Sequence, residues 1–192
     1  IMDFIKECNM NDIQPIAGIE FRNDNDLLYI GIAKNNLGFA ELNELLSYHN
    51  LNKLKLPPIA PPFNHVYIIY PWGVKNVKNP AENEFIGVKP EHIPQIITSV
   101  YRFNQEKLMI WHPVTLKSAV DFEVHQGLRA IGNNTLISKL TRQQTASGNE
   151  VYIPVDKLLK YYSNYPVIIK NTEKILGNYN VGFDFKKKKK KK

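Results

Sequence analysis

The 192 residues suffice for one sizeable core, or for one domain with part of another, and a 43% hydrophobic content is that of an ordinary globular protein. No apolar run approaches a membrane span and no signal-peptide pattern opens the chain, so the expectation is a cytoplasmic protein with no membrane partner. The single Cys8 excludes an internal disulfide, and the net charge of +7 equals the seven consecutive lysines Lys186–Lys192, which leaves the rest of the chain balanced. A polylysine end can bind nucleic acid by counterion release, but this run is read as a solvated, disordered tail.

In chain order, Met2 to Cys8 reads as the last turns of a helix, with Phe4, Ile5 and Cys8 on one face. It carries no start signal, so a preceding segment is expected. Pro15 to Phe21 and Leu27 to Ala33 read as two strands of a hairpin around the turn Asn23-Asp24-Asn25-Asp26. Asn35-Asn36 then leads into a helix from Gly38 to His49, with Phe39, Leu42, Leu45 and Leu46 on one face. Four prolines between Leu51 and Phe63 forbid a helix or a central strand and indicate an extended surface connection.

His65 to Tyr70 and Glu84 to Val88 read as buried strands, and Pro90-Glu91 opens a short helix running to Ile97. Lys107 to Leu136 is the most organised stretch: a strand over Leu108–Trp111, the corner His112-Pro113-Val114-Thr115, then an amphipathic helix. Ser118 and Asp121 form a capping box for that helix, and Gly132-Asn133 supplies its stop. Val120, Val124, Leu128 and Ile131 recur at helical spacing and define its packing face. After the polar loop Thr141–Asn149 come helices over Asp156–Tyr162 and Pro166–Leu176. Short apolar strands alternating with helices indicate an α/β fold, whose corners at Glu20, Tyr70, Val88 and Trp111 would share one rim.

Three stretches carry a resemblance. Gly18-Ile19-Glu20-Phe21 precedes a strand ending Ala33-Lys34-Asn35, then Gly38-Phe39 and a leucine repeat. Trp111 to Thr115 is followed by His125-Gln126-Gly127-Leu128-Arg129-Ala130-Ile131. Tyr165-Pro166, Asn171-Thr172-Glu173, Asn180-Val181 and Phe183-Asp184-Phe185 close the chain. In order and spacing these resemble the polymerase-and-histidinol-phosphatase (PHP) domain of the bacterial DNA polymerase III alpha subunit, in its Bacteroidetes-like form.

The resemblance implies a partial, distorted β/α barrel whose N-terminal strands are missing, with C-terminal helices. Residues 1–140 would form the C-terminal two-thirds of the barrel, 141–185 a helical exit toward the polymerase palm, and 186–192 the tail. The parent would be a DNA-directed DNA polymerase, a nucleotidyltransferase. Its partners would be the rest of the alpha chain, a proofreading exonuclease subunit, and DNA.

Active members of the family hold divalent metals that activate water for phosphoester cleavage. By resemblance the metal candidates are Glu20, His49 and His112. Glu20 matches the family's glutamate ligand, though a strand-end carboxylate facing solvent has the same signature. His49 lies where the family can place a histidine, but a histidine in the last turn of a helix is also favoured by the dipole. At the central corner Pro113 and Thr115 occupy the usual aspartate and histidine places, and His112 alternates to the opposite strand face. His125 is expected to make a structural hydrogen bond to the following loop. The expected role is therefore a degenerate structural and docking module, with no catalytic residue and no cofactor. The alternative is an active phosphoesterase or 3′–5′ exonuclease using Mg, Mn or Zn.

Overall fold

The structure, a computed structural model, describes residues 2–74, 77 and 79–182. The exit motif Phe183-Asp184-Phe185 and the polylysine run lie outside the described residues. Five strands form one open sheet in sequence order: β1 (Gly18–Asn23), β2 (Asp26–Ala33), β3 (Val66–Pro71), β4 (Glu84–Val88) and β5 (Leu108–Ile110). β1 and β2 pair antiparallel, as do β2 and β3, whereas β3, β4 and β5 are parallel neighbours. The α/β class holds. The sheet among the described residues is open, with β1 and β5 at opposite edges.

The helices are α1 (Met2–Met10), α2 (Asn36–Leu51), α3 (Asp121–Gly132), α4 (Val155–Tyr161) and α5 (Pro166–Gly177). α2 starts where Asn35 caps it, its side-chain oxygen accepting from the N–H groups of Leu37 and Gly38 at 3.0 Å each. Two glycines let α2 seat on the sheet. A Cβ on Gly31 would overlap the Leu42 side chain, and one on Gly38 would overlap the His65 carbonyl. The face under α2 holds the main core, with Phe21, Tyr29, Leu42, Ile68, Tyr70, Ile86, Leu108, Tyr162 and Ile168 all buried. The other face carries a smaller cluster of Ile69, Phe85, Met109 and Ile175. α5 supplies Ile168 to the first and Ile175 to the second, because it runs along the β5 edge.

The proline-rich connection is more than a surface spacer. Leu56 and Ala60 are buried in the main core. Asn23 clamps Leu56 in both directions at 2.9 Å, and Ala60 donates to the Tyr70 hydroxyl at 3.1 Å. In the hairpin turn Asp24 takes a φ of 54°, a left-handed conformation that aspartate tolerates. On α1, Ile5 and Cys8 are buried as the periodicity indicates, but Phe4 is exposed. The segment after Pro90 winds as a 3-10 helix to Thr98, since Pro94 inside it has no N–H to donate.

The largest departure from the sequence reading is α3. Its presumed packing face points outward: Val120 is 81% exposed, Val124 63%, Leu128 64% and Ile131 79%. The polar side faces the following 141–148 loop instead. The His125 Nε2 accepts from the Ala146 N–H at 2.9 Å, as expected of that residue, and Arg129 donates to the Gln144 carbonyl. The Ser118–Asp121 pair does form, with both the N–H and the hydroxyl of Ser118 donating to the Asp121 carboxylate at 2.8 Å. That pair fixes the chain entering the helix, which begins at Asp121 itself.

At the β5 edge the outward backbone groups are satisfied by side chains of α5. The Asn171 amide donates to the carbonyls of Gln105 (3.3 Å), Glu106 (3.0 Å) and Leu108 (2.7 Å). The Thr172 hydroxyl accepts from the Ile110 N–H at 2.9 Å and donates to the Ile168 carbonyl at 2.8 Å. Asn171→Ala is expected to lower unfolding free energy by about 1–3 kcal/mol, the usual cost of stranding part-buried polar groups. Asn178→Ala, whose residue is exposed, should stay within about 0.5 kcal/mol. Urea denaturation of the two variants checks both.

Candidate functional site

Because β3, β4 and β5 are parallel, the residues following them converge on one rim, the usual place for a site in an α/β sheet. Trp72 follows β3, Lys89 follows β4, and Trp111-His112 follows β5. The 148–153 segment folds back over this rim. Between them lies a cavity of about 420 Å³, lined among others by Lys89, Glu91, His112, Pro113, Glu150 and Tyr161.

Lys89 is the electrostatic centre of the rim. Its ammonium lies 4.6 Å from the centre of the Trp111 ring and 3.6 Å from the Glu150 carboxylate, and both charged side chains are largely shielded from water. The second carboxylate oxygen of Glu150 accepts from the Thr115 hydroxyl at 2.8 Å. The Glu150 carbonyl accepts from the backbone N–H groups of both Thr115 and Leu116 at 2.9 Å. The His112 Nε2–H donates to the Val151 carbonyl at 2.8 Å, so the proton sits on Nε2. Beneath the rim the Tyr162 hydroxyl donates to the Val88 carbonyl at 2.6 Å. Every polar group of the β5 corner named here is thus joined to the returning segment.

A second layer extends toward β3. The His92 ring stacks on Trp72 at 5.8 Å and 20°, and the indole N–H donates to Gln95 at 2.8 Å. Glu91 lies 3.9 Å from the His92 Nε2 and accepts from the Asn149 amide at 3.1 Å. Burial holds the His92 pKa below the ordinary histidine value. Lys89 adds to that effect, while Glu91 opposes it.

Glu20, His49 and His112 are not brought together. Glu20 pairs with Ile30, which in turn pairs with Ile69, so it sits inside β1 and below the rim. Its carboxylate, half-exposed, is bound by Arg22 at 2.8 Å. β1 and β5 are four strand spacings apart, about 19 Å, which separates Glu20 from His112. His49 lies in the last turn of α2 with its Nδ1 buried and, among the described residues, without a hydrogen-bond partner, beside the Tyr48 ring at 5.5 Å. Among the described residues no group of three or more His, Cys, Asp or Glu side chains is placed to hold a metal ion. Pro113 and Thr115 at the corner do not repair the set, since proline has no ligand atom and Thr115 is bonded to Glu150. Among the described residues the three candidates do not form a PHP-type metal cluster.

Comparison of the chain with protein-family models and with curated proteins finds no significant match.

Sequence reasoning missed the Lys89–Glu150–Thr115 constellation. Its one local signal was a lysine at the carboxyl end of a buried strand, immediately before Pro90. Glu150, 61 positions further on, carries no signal that it returns to that lysine.

Lys89→Met is expected to destabilise the fold by about 2 kcal/mol, because it leaves the shielded Glu150 without its cation. The double variant Lys89→Met/Glu150→Met should recover at least half of that loss, since removing both charges removes the desolvation cost. A denaturant double-mutant cycle measures the coupling.

The His92 shift has a definite sign. Below the unfolded pKa near 6.5 the unfolded chain binds a proton that the folded ring resists, so stability from this site is present above 6.5 and falls with decreasing pH. Thermal melts from pH 7.5 to 5 should show a smaller acid-induced loss for His92→Gln than for the native chain.

Proposed function

We propose that this chain is a degenerate PHP-like module of a bacterial replicative DNA polymerase III alpha subunit, with a structural and docking role in the cytoplasm. The observation that carries the reading is the β5 corner. The places corresponding to family ligands hold Pro113 and Thr115, and the surrounding polar groups are engaged in tying down the 148–153 segment. A corner committed in this way braces a surface. The order of the Pro15–Leu42, Trp111–Ile131 and Leu158–Phe185 stretches supports the same family. The finer fold, a partial distorted β/α barrel, belongs to this proposal and is supported by parallel β3–β5 with associated helices.

The outward apolar face of α3 supports docking. An apolar stripe of this extent on a helix whose polar side is bonded to its own following loop is a candidate interaction surface. The proposed partners are the remainder of the polymerase alpha chain and, through it, a proofreading exonuclease subunit and DNA. No described helix is long and apolar enough to cross a membrane.

Titration calorimetry against the palm-bearing remainder of the alpha chain tests the reading. Val124→Glu and Ile131→Glu should leave the thermal transition of the chain unchanged and weaken binding at least tenfold. The rival enzyme reading makes the opposite demand. Phosphoester hydrolysis by the purified chain that requires Mn²⁺ and is lost in Glu20→Ala would sink the scaffold assignment.

A further inference from the structure

The two edges of the sheet are treated differently. β5 is covered by Asn171 and Thr172, as described above. Among the described residues β1 has no such cover. The Ala33 N–H donates to the Ala17 carbonyl at 3.0 Å, so in this antiparallel ladder residues 19 and 21 turn their backbone groups toward β2, while the Ala17 N–H donates to the Tyr179 hydroxyl. Gly18, Glu20 and Arg22 then turn theirs outward, and among the described residues no hydrogen bond reaches those outward groups. The register passes from Phe21↔Tyr29 to Arg22↔Leu27, which makes Leu28 on β2 the extra residue and leaves β1 unbroken from Gly18 to Asn23. An unbroken, uncovered edge is a template for another strand.

We propose that this edge pairs antiparallel with the β1 edge of a second copy of the chain, in the register that sets Glu20 opposite the partner's Arg22. The charges choose both occupant and register. Glu20 and Arg22 stand two residues apart on one exposed face of β1, bridged at 2.8 Å. Outward-facing residues must oppose outward-facing residues, so the registers available near the centre differ by two. One places Glu20 against Glu20, and like charges directly opposite are unfavourable. The next has its twofold axis at Phe21 and places Glu20 against Arg22 on both sides of the axis. A two-residue segment that carries one charge of each sign is its own complement under a twofold axis, which an isologous contact requires. The two intrachain bridges then merge into one network of four alternating charges across the seam. The result is a continuous sheet of ten strands, whose two outer edges are the β5 edges already covered by α5.

The test is sedimentation equilibrium of the full chain over a hundredfold range of concentration. The native chain should pass from monomer to dimer. Glu20→Arg and Arg22→Glu should each weaken self-association at least tenfold, because each sets like charges across the seam. An equimolar mixture of the two variants should form a heterodimer, since one edge then carries two arginines and the other two glutamates. Circular dichroism melts establish that each variant is folded. Hydrogen exchange on the native chain gives an independent answer without substitution, and protection of the Glu20 and Arg22 amides should rise with concentration. A native chain that stays monomeric throughout overturns the proposal. So does a dimer indifferent to both charge reversals, exchange at these amides that is independent of concentration, or a dimer abolished by Val124→Glu but kept in Glu20→Arg, which would place the contact on α3.

Discussion

The fold depends on how its shortest strand is held. β5 has three residues, too few to stabilise a sheet edge through one ladder with β4. Its outer backbone groups are instead satisfied by Asn171 and Thr172, adjacent residues on one helix separated from β5 by some sixty positions. These bonds fix α5 against the edge in one axial position. That position sends Ile168 into one core and Ile175 into the other. It also fixes the end of β5, and therefore the corner from which the rim and α3 depart.

At the rim, the chain meets its own polar requirements. Lys89 at the end of β4 is a costly charge to shield, and it is offset on one side by the Trp111 ring and on the other by Glu150. Glu150 reaches it because the 148–153 segment is held by His112 and by the backbone of Thr115 and Leu116. A site of this composition is mutually satisfied rather than poised. The shifted histidine nearby, His92, owes its displacement to burial beside Trp72, which is a packing consequence.

α3 shows why periodicity identifies a helix more securely than it identifies the side that faces the core. Val120, Val124, Leu128 and Ile131 do form one stripe, and the helix exists where they indicate it. Hydrogen bonds between the 141–148 loop and His125 and Arg129 claim the opposite side. A hydrophobic stripe states that something apolar should cover it; within the described residues the covering surface is open.

Local chemistry made much of the architecture legible. The short apolar run Phe85–Val88, the Asn-Asp turn between β1 and β2, the Asn35 cap, and Pro166 with Gly177 at the ends of α5 each mark their element through local chemistry. Tertiary structure decided what those elements do. It placed Glu20 and His112 at opposite edges, buried Leu56 and Ala60 from a stretch read as surface, and turned α3 outward. It also joined Lys89 to Glu150. Strand and helix signals act over a few residues through steric and hydrogen-bonding preference. Which charge finds which partner is set by chain closure over tens of residues, where no local preference reaches.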